Sequence, residues 1–218
     1  MSNASTPLRR FWAEFRENKV AVVALIVMIV MILLAVFASL VSPQNPYDLA
    51  NLSLMDSRRP PGFVGSGGYT HVLGTDPQGR DLLSAIFYGL RVSIQIGLAA
   101  GFVSLTIGTT LGILAAYVGG RVEALIMRLV DLQLAFPAIL LALVIVALLG
   151  QGKAQLIGAL VVAQYAYFAR TAYGAAKAER GKDYIEAALA IPLSARLVVM
   201  RHLLPNCTPP LIVVATVQ

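Results

Sequence analysis

The chain has 218 residues, of which 58% are hydrophobic and only 13% charged, with a mean hydropathy of +0.76. That is too apolar for one water-soluble core, so the membrane is the expected solvent and an all-α integral membrane protein the expected class. The net charge of +6 would point to nucleic acid in a soluble protein, but the basic residues sit where apolar segments end, so they report orientation and no nucleic-acid partner is expected.

A leader over 1–19 carries Arg9, Arg10, Arg16 and Lys19 and precedes an apolar run over 20–41. The apolar region of a cleavable signal is about 7 to 15 residues long, whereas this run suffices for about 30 Å of hydrocarbon, so it reads as an uncleaved first membrane helix. The connection over 42–91 is rich in Pro and Gly, and its Arg58, Arg59, Arg80 and Arg91 are matched in number by Asp48, Asp56, Asp76 and Asp81. It reads as a folded loop or short helical cap, with Pro60-Pro61-Gly62 and the glycines at 65, 67 and 68 opposing long regular elements; a passive linker is the alternative.

A second apolar segment is expected over 92–118. Its Gly97, Gly101, Gly108 and Gly112 form two small-xxx-small pairs on one helix face, a pattern for close helix packing. After a turn over 119–128, further segments are expected over 132–150 and 154–173, and a last one begins near Pro209. With only ten residues, about 15 Å of helix, that last segment is too short to span, and Pro209-Pro210 suits its first turn. Asp131 stands one helical turn from Arg128, so an interfacial ion pair between them is expected rather than an ion-relay carboxylate.

Twelve of the seventeen Lys and Arg fall in the leader, in 119–128 and in 170–201, all on one side if the segments alternate. The positive-inside rule makes that side cytoplasmic, with an internal N-terminus and an external 42–91. The lone Cys207 excludes an internal disulfide or a cysteine metal cluster and reads as a small packing residue. His202, with only His71 as a second histidine on the opposite side, reads as structural or interfacial; no metal or cofactor is expected.

The insert over 177–206 is polar and basic between oily segments. Asp183 and Glu186 have the spacing of a capping box that starts a helix, and Tyr184, Ile185, Ala187, Ala188, Leu189 and Ile191 leave that helix without charge after Glu186. Such a patch implies a partner. Pro192 ends the helix, and Ser194 can cap a second one that carries Arg196, Arg201 and His202.

This insert resembles the coupling loop of ATP-binding-cassette importer permeases. Glu186-Ala187-Ala188 and His202-Leu203-Leu204-Pro205-Asn206 match that family's pattern, while Pro192 stands where the family has Gly. A second match, Gly74-Thr75-Asp76-Pro77-Gln78-Gly79-Arg80-Asp81, is similar to the external motif of the dipeptide, oligopeptide and nickel permeases, specifically the second of their two permease subunits. The pattern from Phe15 to Lys19 and the stretch Arg128-Leu129-Val130-Asp131 with Phe136-Pro137 also fit.

The resemblance implies a helical bundle of the importer-permease type with five visible hydrophobic segments. The end of the fifth helix and a sixth are expected outside these 218 residues. The core would occupy 92–218 and sit in a bacterial or archaeal cytoplasmic membrane. The implied partners are a second permease subunit, two cytoplasmic ATP-binding subunits, an extracytoplasmic binding protein and membrane lipid. The coupling contact would be made by Asp183, Tyr184, Glu186, Ala187, Ala188, Pro192, His202, Pro205 and Asn206.

No phosphate-binding loop is present; 150–153 lacks both its spacing and its hydroxyl, so ATP hydrolysis is expected in separate subunits. Di- or oligopeptides are the implied cargo, with nickel or another small solute as alternatives. A degenerate, non-transporting scaffold also remains open. A gradient-driven secondary transporter should show unpaired acids or broken helices at mid-membrane, and the sequence shows no acid at that depth.

Overall fold

The computed structural model describes residues 7–48, 50, 52–183 and 195–218. The chain forms two compact units, 1–95 and 96–218. All long elements are helices, as the composition requires.

In the first unit, α1 (Pro7–Glu17) is followed by α2 (Lys19–Val36) and a short α3 (Ala38–Val41), with a break at Phe37. Asn18 turns the chain between α1 and α2, and its side-chain oxygen caps α2 by accepting from the Ala21 N–H at 3.1 Å. Most of α2 is exposed, as suits a helix whose solvent is lipid, and it is apolar and long enough to cross a membrane. Arg91 reaches back to donate to the carbonyl of Val36 at 3.1 Å, satisfying one of the orphan acceptors at the end of α2.

The connection that follows is folded. It contains a helical turn at Leu54–Asp56 and a hairpin of β1 (Phe63–Val64) and β2 (Thr70–His71), with Phe63 opposite His71. Helix α4 (Leu82–Val118) then starts ten residues earlier than expected. The cause is Asp81, whose carboxylate accepts from the Ser84 N–H at 2.7 Å and so caps the helix before the apolar run begins.

The second unit surrounds α7 (Lys153–Arg180), on which α5 (Gly120–Leu134), α6 (Ala138–Leu149) and α9 (Leu204–Val217) all pack. The stretch expected to be a turn, 119–128, is a helix after the first residue, and the third apolar segment begins at Ala138 instead of Leu132. Here α5 and α6 meet at 90° across a break that contains Phe136-Pro137. The proline ring disfavours helical geometry at Phe136, and Pro137 itself has no N–H to continue the ladder.

Helix α7 is long enough to span but less apolar than α2 or α4. The reason is its position. Its Ala159, Ala163, Ala166, Ala169, Ala172 and Ala176 are buried against neighbouring helices, so little of it has to be greasy for lipid.

The last helix does not begin near Pro209. Four residues, Ala195–Val198 (α8), lead into a π-helical turn at Val199–Leu203, and α9 starts at Leu204. Pro205 offers no amide hydrogen and its ring crowds the carbonyl four residues back, and the widened turn makes room for it. Pro209 and Pro210 therefore lie inside a helix rather than at its first turn.

Of the four glycines expected to pack, two face α7 and two do not. A Cβ on Gly108 would lie 2.6 Å from the Phe168 Cβ, and one on Gly112 would lie 2.8 Å from the Ala172 Cβ and 2.8 Å from the Tyr173 nitrogen. Among the described residues, nothing beyond the helix itself lies within 4 Å of a Cβ at Gly97 or Gly101. The substitutions Gly97→Ala and Gly112→Ala should therefore differ in sign. In the purified chain, G97A should raise the unfolding free energy through helix propensity, by up to about 1 kcal/mol. G112A should lower it by about 1–3 kcal/mol, because α7 backbone has to shift. Equal effects of the two would refute this assignment of the packing face.

Candidate functional site: the loop motif and the foot of α7

The matched motif of the first unit is a knot of side-chain-to-backbone bonds. Gly74 has φ +80, and a Cβ there would lie 2.5 Å from the Arg59 carbonyl oxygen; a Cβ on Gly79, at φ +76, would collide with the carbonyl of Ser53. Thr75 donates its hydroxyl to the carbonyl of Asp56 and accepts from the Arg59 N–H at 2.8 Å. Asp76 accepts from the N–H groups of Gln78 at 2.8 Å and Arg80 at 3.0 Å, and pairs with the Arg80 guanidinium at 2.7 Å. Burial opposes ionisation of Asp76, but these donors outweigh it and hold the carboxyl below its ordinary range.

Asp81 and His71 are both fully buried and bonded, Nδ1 to Oδ1, at 3.0 Å. Asp81 also accepts the Ser84 hydroxyl at 2.7 Å and donates its N–H to the Gln44 side-chain oxygen at 2.7 Å. This carboxylate thus ties the hairpin, the chain after α3 and the start of α4 together. Asp56 accepts from the Ser66 hydroxyl at 2.7 Å and the Ser66 N–H at 2.9 Å; those two bonds, then the charges of His71 and Arg59, lower its pKa against the effect of burial. Arg80 does pair with Asp76, but Asp81 pairs with a histidine, Asp56 with a serine, and Arg59 lies over the Phe63 ring at 5.0 Å.

In the second unit, the end of α7 gathers charges that the sequence did not associate. Arg180 donates to the carbonyls of Ala116 at 2.6 Å and Tyr117 at 2.7 Å, the last turn of α4, where a cation is favourable. Glu123, in the first turn of α5, accepts from Lys177 at 2.5 Å and from the Tyr173 hydroxyl. Both ends of the α4–α5 turn are thereby tied to one face of α7. Asp131 pairs with Arg170 at 2.7 Å, not with Arg128: the partner on the neighbouring helix takes precedence over the one a turn away. No signal in a single sequence links residues separated by 39 to 64 positions, which is why these pairs were missed.

Among the coupling residues, Tyr184, Glu186, Ala187, Ala188 and Pro192, together with the expected cap Ser194, lie outside the described residues. Asp183 is exposed at the last described position before them, and Pro205 and Asn206 are exposed in the first turn of α9. His202 lies in the π-helical turn. The flanks of the undescribed stretch belong to one core: Phe168, Ala172 and Ala176 of α7 pack with Leu203, Cys207 and Leu211, and with Ile113 and Ala116 of α4. Cys207 is fully buried there.

Residues 108–218 match the family described as binding-protein-dependent transport system inner membrane component, and residues 6–61 match the N-terminal TM domain of oligopeptide transport permease C. The di/tripeptide transport system permease protein DppC of Pseudomonas aeruginosa is 37% identical over 213 residues, 98% of this chain and 69% of that protein. The chain belongs to this family of inner-membrane transport components. The dipeptide transport system permease protein DppC of Haemophilus influenzae is 33% identical over 211 residues, covering 97% of this chain and 70% of its own length. The glutathione transport system permease protein GsiD of Pectobacterium atrosepticum is 35% identical over 209 residues, 95% of this chain and 66% of its own. Membership makes the chain a membrane-embedded transport component that works with other components of its system.

The Asp56 carboxylate gives the loop a defined acid response. Its folded pKa is lowered, so its contribution is fully present above the unfolded value of about 4 and is lost as pH falls through the lower folded value. The stability difference between wild type and Asp56→Asn should persist at pH 5 and vanish at strongly acid pH. A difference that stays constant across that range would contradict the Ser66–Asp56 assignment.

Proposed function

We propose that this chain is the second permease subunit of an ATP-driven importer for di- or oligopeptides, and that residues 183–206 are where the ATPase acts on it. The observation that carries the coupling half of this reading is the shared core at the foot of α7. A partner that displaces 184–194 acts at once on the end of α7 and the start of α9, which pack together around Phe168, Leu203 and Cys207. Through Arg180 and Glu123 the same displacement reaches the α4–α5 turn. The bundle is then a two-state body biased from one end.

The peptide half rests on the relatives, two named for di- or tripeptide and dipeptide transport and one for glutathione, itself a peptide. The basic segments favour a cytoplasmic N-terminus and a cytoplasmic 183–206, with the loop motif outside. There the loop faces an extracytoplasmic binding protein that delivers the substrate. A second permease subunit completes the pathway, and ATP is hydrolysed in two separate cytoplasmic subunits that dock on Glu186, Ala187 and Ala188, where small residues permit close approach.

The test is ATP-dependent accumulation of a labelled dipeptide in vesicles that contain the chain with its partner subunits. Ala187→Asp should abolish uptake and weaken association with the ATPase while the chain still inserts at normal levels. Uptake and assembly that both survive this change would remove the docking assignment. Wild-type vesicles that bind ATP but take up no peptide would remove the substrate assignment.

A further inference from the structure

We infer that α1 is an interfacial helix that lies on the membrane with its aromatic face in the lipid, and that its binding surface is a phospholipid leaflet carrying anionic headgroups. Phe11, Trp12 and Phe15 form one aromatic cluster, with ring centroids 5.8 to 6.1 Å apart. Among the described residues the cluster stays largely open: Phe11 is 58% exposed, Trp12 50%, and Phe15 is half-buried. An isolated aromatic cluster of this kind is costly in water and suits the headgroup boundary, where tryptophan is enriched. The sequence of this segment sets Arg9, Arg10 and Arg16, with Lys19 just beyond, against Glu14 and Glu17, a net excess of two positive charges that favours an anionic surface.

Continuity with the membrane span fixes where this helix lies. Only Asn18 separates Glu17 from the apolar α2, and its backbone leaves helical geometry at φ −85, ψ 93. The eighteen residues of α2 rise about 27 Å and α3 follows, so together they use up a hydrocarbon core of about 30 Å. No apolar thickness remains for α1 to extend the span. It is held at the boundary, its aromatic side chains reaching about 5–10 Å below the headgroups. A helix anchored there sets the depth of α2.

Trp12 is the only tryptophan of the chain and reports directly on this placement. In the transporter reconstituted into lipid discs, the wild-type spectrum minus that of Trp12→Phe isolates its emission even when partner subunits contribute tryptophans. The difference emission should be blue-shifted from that of indole in water. It should be quenched more by lipid brominated near the headgroup end of the acyl chain than by lipid brominated near the methyl end, and be several-fold less sensitive to iodide than free indole. Replacing phosphatidylglycerol with phosphatidylcholine should weaken the bromolipid quenching. Water-like emission open to iodide would overturn the inference, and so would blue-shifted emission blind to every brominated lipid, which would place Trp12 against protein. Equal quenching in both lipids would overturn the anionic preference.

Discussion

Close approach of α4 to α7 at Gly108 and Gly112 is the constraint on which the second unit depends. Lipid is as apolar as leucine, so helices in a membrane gain little from hiding oily side chains from it and associate through packing and polar contacts. Removing two Cβ atoms lets the α7 backbone at Tyr165, Ala169 and Tyr173 meet α4 directly. The alanines of α7 continue this close fit toward α5 and α9, and the bulkier Phe168, Leu203 and Leu211 fill the space that remains. A larger residue at either glycine would separate the central helix from its neighbour.

The same close fit brings the polar ends together. Because α7 lies against α4, Arg180 can reach the final carbonyls of α4 and Lys177 the first turn of α5. These are bonds between a cation and a helix C-terminus and between an acid at a helix N-terminus and its neighbour, both favoured by the helix dipoles. Packing in the apolar region and charge at its edge thus support one arrangement.

Much of this was legible beforehand, for identifiable reasons. Long apolar runs announce membrane helices, and the glycines four apart announced a packing face, although only Gly108 and Gly112 face a helix of this chain. The Asp76 and Asp81 motif was legible as a pattern, but not the physical work of its residues: Asp81 caps α4 and buries His71, which moved the helix start to Leu82. The bend between α5 and α6 was hidden because Phe136-Pro137 sits in a stretch apolar enough to pass for one straight span. Asp131 was assigned to Arg128 because local spacing is all that one sequence displays, and tertiary contact with Arg170 prevailed. The shared family explains why the order of motifs was readable while the cross-helix pairs were not.

The central claim is that α7 conveys movement at 183–206 to the membrane helices through its foot, and the Arg180 contact with the end of α4 is where that claim is most exposed. The direct measurement is peptide taken up per ATP hydrolysed by the reconstituted transporter carrying Arg180→Gln, a change outside the docking residues and at the rim of the core. The account predicts that hydrolysis continues while uptake per ATP falls well below wild type. An unchanged ratio, with the variant folded and assembled, would contradict it.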